Sequence, residues 1–259
     1  MMENMMNEHL YQVLLEACEE GARHTVELLL DVMGLNVDGI GENGEFVYEY
    51  GGLPLLSAVT GYAPNVVELL LQKGADPNMN SAGGVLPLVA ACRLGNKEIA
   101  ESLLDGGADI HARQECDKAA PIHWAVYGGN RGTVELLCER GAMLETLWLN
   151  PDDVSAEPRT PLMLVVTNFA HPWSRTIGGE NLEILLGSGA NINTANDLGK
   201  TPLMYAAADN SAEAVELLLA RGANPFLKDS SGETALDKTQ DTRVRVLLHF
   251  CHLYSPGGV

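Results

Sequence analysis

Apolar positions in this chain come in short bursts at helical spacing, and each burst ends on a Gly–Ala pair. The clearest burst is Val215, Leu217, Leu218 and Leu219, which share one helical face and stop at Gly222–Ala223. Upstream, Thr201 offers a hydroxyl to cap a helix, and Pro202 stands at the first helical position, where its missing N–H costs nothing. Leu203, Ala206 and Ala207 follow as a short face of small residues that lets two helices approach closely. The pattern predicts a helix from Pro202, a turn at Asn210, and a second helix stopped by Gly222, which reaches the left-handed conformation a helix end favours. Asn224–Pro225 and Ser230–Ser231–Gly232 supply turn chemistry leading to the next unit.

The same order of signals recurs. Pro54, Pro87, Pro121, Pro161 and Pro202 open it, and Gly74–Ala75, Gly107–Ala108, Gly141–Ala142, Gly189–Ala190 and Gly222–Ala223 close it. The opening proline precedes the closing glycine by 20 residues in four of the five units, and successive prolines are 33, 34, 40 and 41 residues apart. A period near 33 with start and stop signals in phase predicts a solenoid, whose units bury apolar faces only against their neighbours. A weaker first unit runs from Leu10 to Val37, with Ala17, Gly21 and Leu28–Leu30 in step. A shortened last one starts at Thr234–Ala235–Leu236 and ends with the helix-like Val244–Phe250.

These residues resemble the ankyrin repeat, whose pattern is a turn, Thr-Pro-Leu-His, two Ala-rich antiparallel helices, and Leu-Leu followed by Gly-Ala-Asp/Asn. The match is specific in the units starting at Leu53, Leu86, Ala120, Thr160 and Thr201. Thr160 and Thr201 keep the capping Thr, and His123 keeps the motif His, a structural hydrogen-bonding residue in that family. The resemblance implies an all-α solenoid of about seven helix-turn-helix units forming one domain over 1–259. Its units fall at about 8–38 (a cap), 53–85, 86–119, 120–159, 160–200 and 201–233, with a C-terminal cap at 234–254. It also implies protein binding across a concave groove of turns and first helices. The family's variable positions put Thr60, Tyr62, Arg93, Tyr127, Asn168, Lys200 and Asp209 in that groove.

Three insertions break the period. About seven extra residues lie near Asn43–Tyr50, a similar excess runs through Trp148–Asp153, and eight more fall between two helices around Ala170–Gly179. Loops of a solenoid tolerate insertion because the helices are locked by stacking, and such loops often line the binding face. Neutral drift would also lengthen them at little cost. Composition favours interaction: Phe46, Tyr48, Tyr50, Trp148 and Trp173 lie here, five of only 14 aromatic residues, and aromatic anchors are typical of interface hot spots.

Charge sharpens this reading. The net charge is −19, and residues 1–50 hold 11 Asp/Glu against the single Arg23. Direct nucleic-acid binding, which needs clustered Lys and Arg, is not expected. Acidity alone serves solubility; beside the aromatics, Glu42, Glu45 and Glu49 also make a landing site for a basic partner. The chain has no run of 18 apolar residues, and its Met-rich start carries Glu3 and Glu8 without a basic region, so neither membrane insertion nor secretion is expected. Five cysteines without CxxC or disulfide spacing read as reduced thiols in a cytoplasmic setting.

The sequence carries no complete catalytic or phosphate-binding motif. Asp197–Leu198–Gly199–Lys200–Thr201 ends like a phosphate-binding loop, but Thr194 stands where its first Gly belongs. His249 and His252, with Cys251 between, could touch a metal but read as a polar helix end; the other histidines show no metal-ligand spacing, and no nucleophile elbow or paired acid–base couple stands out. The expectation is therefore a protein-binding module without catalytic residues, cofactor or metal, monomeric when unbound. Concrete versions are an acidic inhibitor or immunity protein covering a toxin's active site, and a bacterial effector gripping a host protein. A scaffold bridging two proteins, or an enzyme using an insertion, are the competing classes.

Overall fold

The computed structural model describes residues 2–40, 52–114, 118–149, 157–168 and 175–253, with the side chains of 2–7, 168, 175–177 and 251–253 outside that description. The chain divides into two compact units, Met1–Trp124 and Ala125–Val259. In the first unit, α1 (Met2–Glu19), α3 (Pro54–Thr60) and α5 (Pro87–Leu94) stack on one another as first helices. Their partners α2 (Arg23–Asp31), α4 (Pro64–Gln72) and α6 (Lys97–Asp105) stack as a second row. Helix α7 (Pro121–Tyr127) spans the division between the units.

The second unit continues with α8 (Arg131–Glu139), α9 (Pro161–Asn168), α10 (Arg175–Gly187), α11 (Pro202–Ala208) and α12 (Ala212–Ala220). It ends on a 3-10 helix (Ala235–Lys238) and α13 (Thr242–Leu253). Here α9 packs on α11 and α11 on the 3-10 helix, while α8 packs on α10 and α12 on α13.

Two recurring closures turn sequence into hairpins. After α1, α3, α5, α7 and α11 the chain swings through a left-handed residue, and the next amide returns to an alanine carbonyl. Ala63 N reaches Ala58 O at 2.9 Å, and Ser211 N reaches Ala206 O at 3.0 Å. Ala17, Ala58 and Ala91 in the first unit, and Ala125 and Ala206 in the second, hold this position and are buried, small enough for the returning chain to cross them. After each second helix a glycine takes positive φ, 91° at Gly74 and 90° at Gly222. Except after α2, where Leu35 follows Gly34, an alanine amide then bonds back to a leucine carbonyl, as Ala75 does to Leu70 and Ala223 to Leu218, both at 3.0 Å. The capping threonines act as expected but weakly, each accepting from Met163 N or Met204 N at 3.4 Å.

The insertions differ from expectation in two places. Helix α10 begins at Arg175, whereas the period would start it four residues later, so half of the eight-residue excess is one additional helical turn. The other departure is Trp148. It pairs with Arg159 across an antiparallel bridge, each N–H donating to the other's carbonyl at 2.9 Å. This closes the lengthened turn at its base and leaves Trp148 only 1% exposed.

Candidate functional site

The first-unit surface of interest is the C-terminal end of each first helix and the corner that follows it. Thr60 ends α3, is exposed, and folds its hydroxyl back onto Leu56 O (3.0 Å) and Ser57 O (3.1 Å). Tyr62, two residues on, is 53% exposed at φ 58°, and its hydroxyl reaches Leu94 O at 3.4 Å. Arg93 occupies in α5 the place of Thr60 in α3; it is exposed, and its guanidinium lies 5.6 Å from the Trp124 ring centroid. His123 is fully buried, and its Nδ1 accepts from Ala120 N at 3.0 Å, the structural role its motif position implies.

In the second unit Tyr127 holds the same position at the end of α7 and is 46% exposed. Its ring meets Trp148 edge-on, with centroids 5.9 Å apart. Trp148 was expected as an exposed anchor on an insertion. It is a core residue under Tyr127, because the bridge to Arg159 pins it inward, so it offers no surface to a partner. Asp209 caps α11 and is exposed. Asn168 ends α9, with its side chain outside the description. Glu42, Glu45, Phe46, Tyr48, Glu49, Tyr50 and Trp173 lie outside the described residues.

Lys200 is not a free groove residue. Its ammonium sits 2.5 Å from Glu157 Oε1, and Tyr205 Oη donates to Glu157 Oε2 at 2.7 Å. Asn196 Nδ2 donates to both Tyr205 Oη and Pro158 O, each at 2.9 Å. The Arg159 guanidinium stacks 5.1 Å from the Tyr205 centroid. This clasp ties the end of the second insertion to α11 and the turn before it. Burial works to raise the Glu157 carboxyl, but its bonds from Lys200 and Tyr205 outweigh that and hold it below the usual range. Burial first, and then the Glu157 carboxylate, push the Tyr205 phenol well up. Sequence reasoning missed this group and Trp124, although a signal existed: Trp124 and Tyr205 both stand three residues after the unit's proline, where other units have Ser57, Ala90 and Leu164.

The turn tips are joined by a regular ladder. Asp76 N donates to Asp38 Oδ1 (2.9 Å) and Asp109 N to Asn78 Oδ1 (2.7 Å) in the first unit. Asn191 N donates to Glu145 Oε1 (2.7 Å) and Asn224 N to Asn193 Oδ1 (2.8 Å) in the second. The cations of the second helices are also engaged, Lys73 with Asp31 at 2.5 Å and Arg131 with Glu180 at 3.4 Å. Arg221 pairs with Glu183, and Arg243 with Glu216 at 2.9 Å.

Asp229 gives the clearest pH dependence. Its side chain is 2% exposed, 2.5 Å from Lys238 Nζ, and accepts from Ser231 N (2.9 Å) and Glu233 N (3.0 Å). The Lys238 bond chiefly holds its carboxyl below the usual range, with the two amides adding to the effect. A carboxyl depressed in the folded state contributes stability above its unfolded value of about 4, and that contribution fades as pH falls through the lower folded value. Thermal midpoints measured between about pH 5 and pH 2 should therefore fall in the wild type and fall less steeply in Asp229→Asn. Parallel curves would remove Asp229 from this role.

The arrangement offers contact surface. Among the described residues no group of three His, Cys, Asp or Glu is placed to hold a metal ion. Burial pushes the Cys18 thiol up to about 12 and the Cys92 thiol further, so both are protonated at neutral pH. No described helix is long and apolar enough to cross a membrane.

Comparison with known proteins agrees with this architecture. A family model described as ankyrin repeats (3 copies) matches residues 55–147, and one described as ankyrin repeats (many copies) matches 184–238, together more than half the chain. The crystal structure of the ankyrin repeat domain of Bcl-3, described as a unique member of the IkappaB protein family, aligns with a TM-score of 0.76 at 28% identity. That alignment covers 91% of this chain and 97% of the other. Human transient receptor potential cation channel subfamily A member 1 is 25% identical over 91% of this chain. Human neurogenic locus notch homolog protein 1 is 30% identical over 67% of it. The chain spans only 23% and 6% of those two proteins. The fold is an all-α solenoid of repeats.

Proposed function

We propose that this chain, which belongs to the ankyrin repeat family, is a cytoplasmic protein-binding module without a catalytic step. It engages a partner with a basic surface through the ends of its first helices and their corners. The observation carrying this reading is a contrast within single helices. Leu55, Ala58 and Val59 of α3 are buried while Thr60 at its end is exposed, and Ala91 and Cys92 of α5 are buried while Arg93 is exposed. Tyr127 repeats the contrast in the second unit at 46% exposed. A scaffold fixed by stacking orders few side chains on binding, so modest contacts suffice for affinity. The net charge of −19 supports a basic partner by speeding its approach. Blocking a basic active site, as an inhibitor does, is one form this binding takes.

The test compares proteins retained from cell extract by the full chain and by a Thr60→Ala/Arg93→Ala/Tyr127→Ala triple variant. A retained protein should bind the variant at least about tenfold more weakly, the effect of losing roughly 1.4 kcal/mol. In the same assay, Phe46, Tyr48 and Tyr50 changed to Ala should raise the dissociation rate. Glu42, Glu45 and Glu49 changed to Gln should slow association and flatten its salt dependence. Equal binding by all variants, or turnover of a substrate without any partner, would contradict the reading.

A further inference from the structure

The corner after each first helix needs a left-handed residue, and its occupants in the first unit are Gly21 (φ 71°), Tyr62 (φ 58°) and Gly95 (φ 73°). In the second unit the same corner holds Gly129 (φ 68°) and Asn210 (φ 53°). Glycine and asparagine enter this conformation readily, whereas a bulky tyrosine is strained there. Tyr62's side chain gains little inside the fold in return: it is 53% exposed, and the bond from its hydroxyl to Leu94 O is long at 3.4 Å. An aromatic side chain stands exposed here, where glycine would fit without strain, so its ring is open to contact from outside the chain.

Its surroundings identify that something. The corner lies directly on the end of α1, since a Cβ added to Gly61 would fall 1.9 Å from the Glu19 carbonyl oxygen. Glu19 and Glu20 are both exposed at that end, and Glu16, one turn earlier, is exposed as well. The cations on the other side are held or offset. Arg93 leans on Trp124, and Lys97 opens α6 beside the exposed Glu98. Arg23 donates to Asn65 O at 2.6 Å.

We propose that the open face of the Tyr62 ring, with the carboxylates of Glu19 and Glu20, receives an arginine side chain of the partner protein. The guanidinium plane stacks on the ring, and its N–H groups reach the carboxylates, a pairing that lysine's compact ammonium makes less well. This rests on the protein-binding reading and names the chemistry of its partner. Thr60, Arg93 and Tyr127 take no part in it, so the two can fail separately.

The probe is a capped peptide, acetyl-Ala-Arg-Ala-Arg-Ala-Arg-Ala-amide, and its isosteric citrulline counterpart, titrated into the full chain labelled with 13C at tyrosine rings. The Tyr62 resonance is assigned by its loss in Tyr62→Gly. The expected result is a Tyr62 ring shift with the arginine peptide only. The peptide's dissociation constant, read by calorimetry, should rise at least about tenfold in Tyr62→Gly and in Glu19→Gln/Glu20→Gln, and stay unchanged in the control Glu98→Gln/Glu101→Gln. Tyr62→Gly should meanwhile raise the thermal midpoint or leave it unchanged, because it relieves the corner; a purely structural Tyr62 would lower it. Binding insensitive to Tyr62→Gly, equal shifts with the citrulline peptide, or a lowered midpoint would each overturn the proposal. A natural partner that loses affinity in the Thr60/Arg93/Tyr127 variant but not in Tyr62→Gly would overturn it while leaving the binding module intact.

Discussion

Truncating Leu218 to alanine is expected to remove about 2–5 kcal/mol of stability, the range for a fully buried leucine that leaves a cavity. Leu218 is 0% exposed on α12, and its carbonyl also accepts the Ala223 amide that closes the hairpin. Leu217 beside it is half-buried and should cost less, although both belong to the same apolar burst. Exposed Met143, at 57%, sets the baseline: its change to alanine should stay within about 0.5 kcal/mol. Denaturant unfolding of the three variants checks the order. A Leu217→Ala cost equal to that of Leu218→Ala would mean that the buried face of α12 has been assigned wrongly.

Gly61→Ala should be nearly as damaging, for a different reason. Gly61 has an ordinary φ of −78°, so its backbone would accept any residue. What forbids a side chain is the neighbour: the would-be Cβ falls 1.9 Å from Glu19 O and 2.7 Å from Glu19 Cα. Both are backbone atoms, which cannot swing aside as a side chain can. The expected cost is about 3 kcal/mol, the upper end of overpacking penalties, concentrated where α1 meets α3. Gly179→Ala inside α10 is the control of opposite sign. Its Cβ would meet only Leu217 Cδ1 at 4.0 Å, and relief of glycine's helix penalty should add about 1 kcal/mol. Hydrogen exchange should show α1 and α2 opening first in Gly61→Ala. Unchanged protection in α1 would contradict the close approach.

How much of this was legible in the sequence depended on whether a feature repeats. The hairpins were, because each is fixed by local signals: a proline at the start, alanines where chains cross, a Gly–Ala stop. The ladder between turn tips was half legible. Gly-Ala-Asx recurs, but the acceptor two residues further on varies between Asn78, Glu145 and Asn193, and its partner lies in the next repeat. Trp148 was misread because hydrophobicity in an insertion is ambiguous: the same indole anchors a partner or fills a gap. Only the pairing with Arg159, eleven residues away, decides between them. The pairing of Lys200 was not legible either, since its partner Glu157 belongs to an insertion that has no counterpart in the repeat. At the surface, the sequence named Tyr62 as a groove residue. That its corner demands a left-handed residue came only from the backbone.

Where a partner sits is measured most directly by hydrogen exchange of the captured complex against the free chain. Protection gained on binding should fall on the first-helix ends and corners, 60–63 and 93–97 in the first unit and 127–130 in the second. Protection confined to the second helices, α2, α4 and α6 or α8, α10 and α12, with those corners unchanged, would contradict it.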